Sequence, residues 1–295
     1  MIEAAILVAR LLQYAAAAVL FGSSLFLAYA LPAEGPAARG WARPLLACAA
    51  VVLAGSSACA IAAQASLFAG SWSAGLTHEA IGAVVSSMDF GKAAVVRVAA
   101  ALLALGLLAV LPRSRAAWLA VAGAGLIAAA SLAWMGHAAA DEGPAATAHR
   151  VADAIHALAG AAWIGALVAL LALAGERNRG LTLHRALLRF SAIGPVLVAA
   201  IVLTGLVNAW VLVGPGNVGA LPSTAYGRVL LAKLALFAAM LLLAANNRWR
   251  LTPRLERLPA AAGALRSSVA LEALAGFAVL AAVAWLGTLP PPALG

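Results

Sequence analysis

Residues 148–174 read AHRVADAIHALAGAAWIGALVALLALA, and this stretch decides the fold. After a polar opening turn, no charged residue appears from Ala157 to Ala174. A helix rises about 1.5 Å per residue, so about 20 apolar residues cross the hydrocarbon of a bilayer. The stretch is therefore a membrane span. The same reading recovers seven more: Ala4 to Leu31, Leu45 to Ala69, Ala93 to Leu111, Trp118 to Gly136, Phe190 to Val213, Val229 to Ala245 and Ser268 to Leu289. Pro32, Pro36, Gly70 to Gly75, Pro112, Gly143-Pro144, Gly214 to Gly216, Pro253 and Pro259 punctuate them. Only helices and closed barrels satisfy their backbone in lipid. These runs are too long and too evenly apolar for barrel strands. The expected fold is all-α: a polytopic membrane bundle of eight transmembrane helices, one integral membrane domain over residues 1–295.

Composition agrees. Of 295 residues, 65% are hydrophobic and 10% charged, with a mean hydropathy of +1.02. A soluble domain is about half apolar and a quarter charged, so lipid is the solvent for most of this chain. The net charge of +9, from 19 Lys and Arg against 10 Asp and Glu, does not mark a nucleic-acid binder. Its basic residues sit between apolar runs rather than along one stripe. Arg39 and Arg43, Arg113 and Arg115, the set Arg177, Arg179, Arg185 and Arg189, and the set Arg248, Arg250, Arg254 and Arg257 fall in alternate connections. By the positive-inside rule those connections are cytoplasmic. A bacterial inner-membrane location follows, with both termini and the connections near His78, Asp141 and Leu221 periplasmic. Ala28-Tyr29-Ala30 fits a signal-peptidase pattern. The apolar run before it is longer than a signal core and has no cationic start, so a retained first helix is expected. Cys48 and Cys59 share one helix about 16 Å apart, too far for a disulfide; small packing residues are expected there.

The chain repeats itself. Ser87-Met88-Asp89-Phe90-Gly91-Lys92 with Arg97 mirrors Ser223-Thr224-Ala225-Tyr226-Gly227-Arg228 with Lys233. Ala133-Trp134-Met135-Gly136-His137 mirrors Ala284-Trp285-Leu286-Gly287-Thr288, and Gln13 and Gly22 correspond to His156 and Gly165. Residues 1–140 and 145–295 thus read as two four-helix repeats. Four spans return the chain to the same side, so the repeats are parallel.

One stretch carries most of the chemistry. His149, Asp153 and His156 fall at i, i+4 and i+7 and share a helical face, which Gly160 and Trp163 continue inward. His137 ends the preceding span at the same depth. Imidazole suits copper and thioether suits Cu(I), so His137, His156, His149 and Asp153, with Met135 and Met88 nearby, form a candidate metal set. Asp153 either ligates directly or orients an imidazole. The plainer alternative is a set of interfacial histidines wetted by headgroups. Two of the 5 His at one depth on adjacent spans, where polar groups are costly, favour a site. The paired positions of the other half hold Thr288 and Gln13, so function is expected in one half only. Met88 and Met135 equally suit packing, and His78 reads as solvated in a Gly/Ser-rich loop. Arg97 and Lys233 are expected to snorkel to the interface. Asn208 either bonds between helices or lines a pathway, and Glu272 either pairs with Arg266 or serves as a proton-linked exit group.

At these residues the chain resembles the CopD family of bacterial copper-resistance membrane proteins. The resemblance rests on Gly136-His137, Asp153-x-x-His156 with Trp163-x-Gly165, Thr204-Gly205 with Asn208, Tyr226-Gly227-Arg228 with Lys233, and Asn247-Arg248 with Pro253-x-Leu255. It covers nearly the whole chain. It implies an eight-helix inner-membrane protein carrying copper from periplasm to cytoplasm, alongside the periplasmic copper-binding protein CopC. His137 and His156 match the family's His positions. With only 4 Met, a methionine-ladder conduit is not expected.

Three functions stay open: a copper transporter without covalent chemistry, a haem-binding electron-transfer protein with paired imidazoles on iron, and a non-transporting copper-delivery or oxidase-assembly factor. No P-loop is present, so no ATP-driven pump and no enzyme are expected.

Overall fold

The computed structural model describes residues 1–31, 40–135, 146–175, 180–255 and 261–293. Eight helices in it are long and apolar enough to cross a membrane: span 1, Ile2–Ala30; span 2, Ala42–Phe68; span 3, Asp89–Val110; span 4, Arg115–Met135; span 5, Ala146–Ala174; span 6, Leu181–Leu212; span 7, Ala225–Arg254; and span 8, Ala262–Leu286. Several outrun the apolar stretches that announce them. Span 6 starts at Leu181 rather than Phe190 because Arg185 and Arg189 continue the helix. Hydropathy stops at the first charge, whereas backbone hydrogen bonding does not.

The first and last residues described lie at one end of the bundle, here the terminal side. Arg43, Arg113, Arg115, Arg189 and Arg248 lie at the other, the arginine-rich side. On the terminal side, the Gly/Ser-rich stretch after span 2 is not an open loop. It folds into two short helices, Trp72–Gly75 and His78–Ser87, each capped by its preceding hydroxyl: Ser71 accepts from Ala74 N and Thr77 from Ala80 N. His78 is exposed at the start of the second.

Between helices already in lipid, small residues provide close packing where hydrophobic exclusion cannot. Ala17, Ala18, Ala50, Ala101, Ala128 and Ala169 are almost wholly buried, while Leu102, Leu119, Leu203 and Leu242 face outward. Cys48 and Cys59 are free thiols exposed on that outward surface, not the small packing residues expected from the sequence. Spans 1 and 5 form the centre. They cross where Gly22 and Gly165 meet: a Cβ on Gly22 would strike the Ala161 carbonyl, and one on Gly165 the Ala18 carbonyl. Span 1 makes a π-helical turn over Val19–Ser23 at this crossing, and Ser23 Oγ donates to the Gly165 carbonyl at 2.7 Å. Span 4 packs on spans 1 and 5, and span 8 packs on spans 5 and 1.

The paired hexapeptides open spans 3 and 7 alike. Met88 and Thr224 are extended-backbone caps, and the third helical residues, Gly91 and Gly227, lie hard against the Val84 and Leu221 carbonyls of the preceding segments. Only a residue without Cβ fits there.

Candidate functional site

Span 5 carries the candidate residues, and span 6 holds them in place. His156 Nδ1 lies 3.1 Å from the Ile201 carbonyl and 3.0 Å from Thr204 Oγ1. A carbonyl only accepts, and the Thr204 hydroxyl donates to the Ala200 carbonyl, so Nδ1 carries the proton and Nε2 keeps its lone pair. One helical turn away, Asn208 Nδ2 donates to Asp153 Oδ1 at 3.0 Å. Gly205 makes room for the ring, since a Cβ there would sit 3.3 Å from His156 Cε1. The spacings match: Asp153 and His156 on one helix meet Asn208 and Thr204 on an antiparallel neighbour. Asn208 thereby takes the interhelical role that its position allowed.

Other charges converge on this level. Lys233 on span 7 lies within electrostatic reach of both Asp153 and His156, and the Tyr226 and Tyr14 hydroxyls within reach of Asp153. Arg97 does not snorkel, contrary to the sequence expectation. It is fully buried, and its Nη1 donates to the Ser131 carbonyl at 2.9 Å. Arg97 sits a little over two turns into span 3, deep enough that its Nη1 bonds across to span 4 while Nε and Nη2 stay buried without a protein partner.

The remaining candidates divide. His149 is buried near the start of span 5. Met135 is buried in the central core, and Met88 packs against Ile61 and Val84 beside span 2. The structure therefore places Met88 in a separate packing cluster. His137 lies outside the described residues, and among those described no group of three or more His, Cys, Asp or Glu is arranged around one point.

One residue, Arg10, and the partners of another, Glu272, escaped the sequence reading. Arg10, one turn before Gln13, donates from Nη1 to the Gly287 carbonyl at 2.6 Å and from Nη2 to the Met135 carbonyl at 2.8 Å. It ties the ends of spans 8 and 4 together immediately before residue 136. The signal for it was an arginine inside an apolar span, which rarely lacks a role. The second is a buried cluster toward the arginine-rich side. Glu272 Oε1 accepts from Trp163 Nε1 at 2.8 Å and Oε2 from Asn247 Nδ2 at 2.9 Å. Glu272 makes no ion pair with Arg266 or any other described residue.

A bundle of eight apolar helices with a polar latch between spans 5 and 6 defines a multi-pass membrane protein. Residues 1–148 match the family described as copper resistance protein D-like, N-terminal domain, and residues 184–286 match copper resistance protein D. Copper resistance protein D of Pseudomonas syringae pv. tomato is 38% identical over 96% of this chain and 95% of its own length. Inner membrane protein YebZ of Escherichia coli (strain K12) is 34% identical over 54% of this chain and 55% of its own. No solved structure matches. The chain belongs to the copper resistance protein D family, CopD.

Proposed function

We propose that this protein binds copper at its terminal side through His156 and His137 and passes it across the inner membrane to the cytoplasm. The observation that carries this reading is the set of the His156 ring. Its Nδ1–H is committed to the Ile201 carbonyl, which orients the ring, fixes the tautomer and leaves Nε2 as a ligand. Neighbouring imidazole suits copper. Asp153, held by Asn208, supplies negative charge near the cation, and Arg10 anchors the backbone leading to His137. The copper-resistance name of the family and of the Pseudomonas relative points to the same metal. Arginines at the opposite face set that face in the cytoplasm and the termini in the periplasm, where a soluble copper-binding protein of the CopC type supplies the metal. Copper here is cargo, and no covalent step is involved.

The test is metal analysis of the purified protein, wild type against His156→Ala and His137→Ala, with copper flux measured in proteoliposomes. Both variants insert normally and lose bound copper, and wild type accumulates copper in the lumen. Unchanged stoichiometry and affinity in both variants would remove the site. Copper binding without flux would make the protein a delivery or assembly factor, and a Soret band in the reduced protein would make it a haem protein.

A further inference from the structure

Glu272 is an acid inside the bundle with only neutral partners. It is 1% exposed, and its two oxygens are held by an indole and an amide on spans 5 and 7. No charged or titratable group among the described residues of spans 1, 5 or 7, the spans packed against span 8, acts on it. An ionised carboxylate in hydrocarbon without a counter-cation is costly, and such residues mark ion or proton pathways. The site is also built with care. Trp163 is clamped edge-to-face by Phe237 at a centroid distance of 6.2 Å, and Gly276, one turn along span 8, lets Ile164 approach. Span 7 makes a π-helical turn over Asn247–Leu251 where Asn247 reaches in, a distortion frequent at functional sites.

Two further polar atoms are buried there without partners. Asn247 Oδ1 belongs to a side chain 7% exposed. Ser268 Oγ, also on a residue 7% exposed, lies one turn from Glu272 toward the arginine-rich side. Carboxyl, amide oxygen and hydroxyl thus lie within about one helical turn, about 6 Å along span 8, on the way from Glu272 toward the arginine-rich side. The other end of the cluster is in line with the latch. Trp163 lies seven residues beyond His156, about 10 Å along the same helical face. The donors are all hard oxygens, which suit a proton better than a soft metal ion.

We propose that Glu272 is a proton-binding site that exchanges its proton with the arginine-rich side through Ser268 and Asn247 as a cation passes down the bundle. The carboxyl O–H breaks as the monovalent cation enters its neighbourhood. The proton leaves past Asn247 and Ser268, and one returns once the cation has gone, so charge inside the bundle stays constant. Only this coupling rests on the copper reading; the proton site itself does not.

Infrared difference spectroscopy on the full chain in bilayers tests both. In metal-free wild type a protonated-carboxyl stretch titrates reversibly with pH, Glu272→Gln lacks it, and Cu(I) removes it. Glu272→Gln keeps the local structure: its carbonyl oxygen still accepts from Trp163, and the Asn247 amide turns its unpartnered oxygen toward the new NH2. Ser268→Ala leaves the carboxyl's own bonds intact and slows the exchange. In proteoliposomes an imposed pH gradient alters Cu(I) uptake by wild type but not by Glu272→Gln. The proton site is overturned by a stretch that persists in Glu272→Gln or by no titrating stretch in wild type, and the coupling by Cu(I) leaving the stretch unchanged in a chain that takes up copper. A titrating Glu272 stretch in a chain that takes up no copper upholds the proton site and removes the transport reading instead.

Discussion

Gln13 and His156 stand at positions that the two halves of the chain pair, and both reach from a central span to the next one along. Gln13 Nε2 donates to the Ser56 carbonyl of span 2 at 3.3 Å, and His156 Nδ1 turns to the Ile201 carbonyl of span 6. Their surroundings differ. Gln13 is sealed, 0% exposed, whereas His156 and Asp153 are only partly covered, with Lys233 beside them. The residues one turn earlier differ as well: Arg10 straps the ends of spans 4 and 8, and Asp153 is held by Asn208. Two positions that correspond in sequence thus differ in their surroundings: Gln13 is packed away, and His156 keeps its Nε2 lone pair. Corresponding positions in sequence do not require shared chemistry.

The comparison breaks most severely if the crossing of spans 1 and 5 is removed. Gly165→Val drives a branched side chain into the Ala18 carbonyl and the Gly22 backbone. Overpacking of this kind costs about 1–3 kcal/mol, and backbone on the opposing side cannot repack, so the upper end is expected. Loss of monodisperse protein after detergent extraction is the readout, and wild-type thermal stability in that variant would refute the crossing. A smaller effect isolates the second half. Thr204→Val removes one of two acceptors for His156 Nδ1 but leaves the Ile201 carbonyl, so Cu(I) affinity drops about tenfold in a chelator competition titration. An unaltered affinity would show that the ring is not oriented by span 6. Smallest is the change in the first half. Gln13→Ala forfeits one buried hydrogen bond, about 1 kcal/mol, seen in unfolding from mixed micelles with copper binding unaffected. Loss of copper in that variant would erase the contrast between the halves.

Most of the bundle was legible from hydropathy, because a span must be continuously apolar wherever lipid touches it. The ends were less so, as at Leu181 and Arg254, where helices run on past their apolar cores. Asp153 and His156 were visible as polar residues on one face of span 5, and Thr204 and Asn208 as polar residues on span 6. That these meet in antiparallel register was not visible, since hydrophobic pattern does not specify which helix lies against which. Arg97 was misjudged for the same reason: its partner, the Ser131 carbonyl, belongs to another span and leaves no mark in sequence. Glu272 was noticed, but the indole and amide that hold it come from residues 109 and 25 positions away.

By itself the amino-acid order settled that this chain lives in lipid, crosses it eight times and gathers most of its basic residues in alternate connections, because bilayer thickness and backbone hydrogen bonding constrain each span independently of the others. Tertiary structure alone decided which polar groups meet. Gly22 against Gly165, His156 against Ile201 and Glu272 between Trp163 and Asn247 all depend on helix rotation and register. Those are set by close packing of small residues across the bundle rather than by any local property of a span.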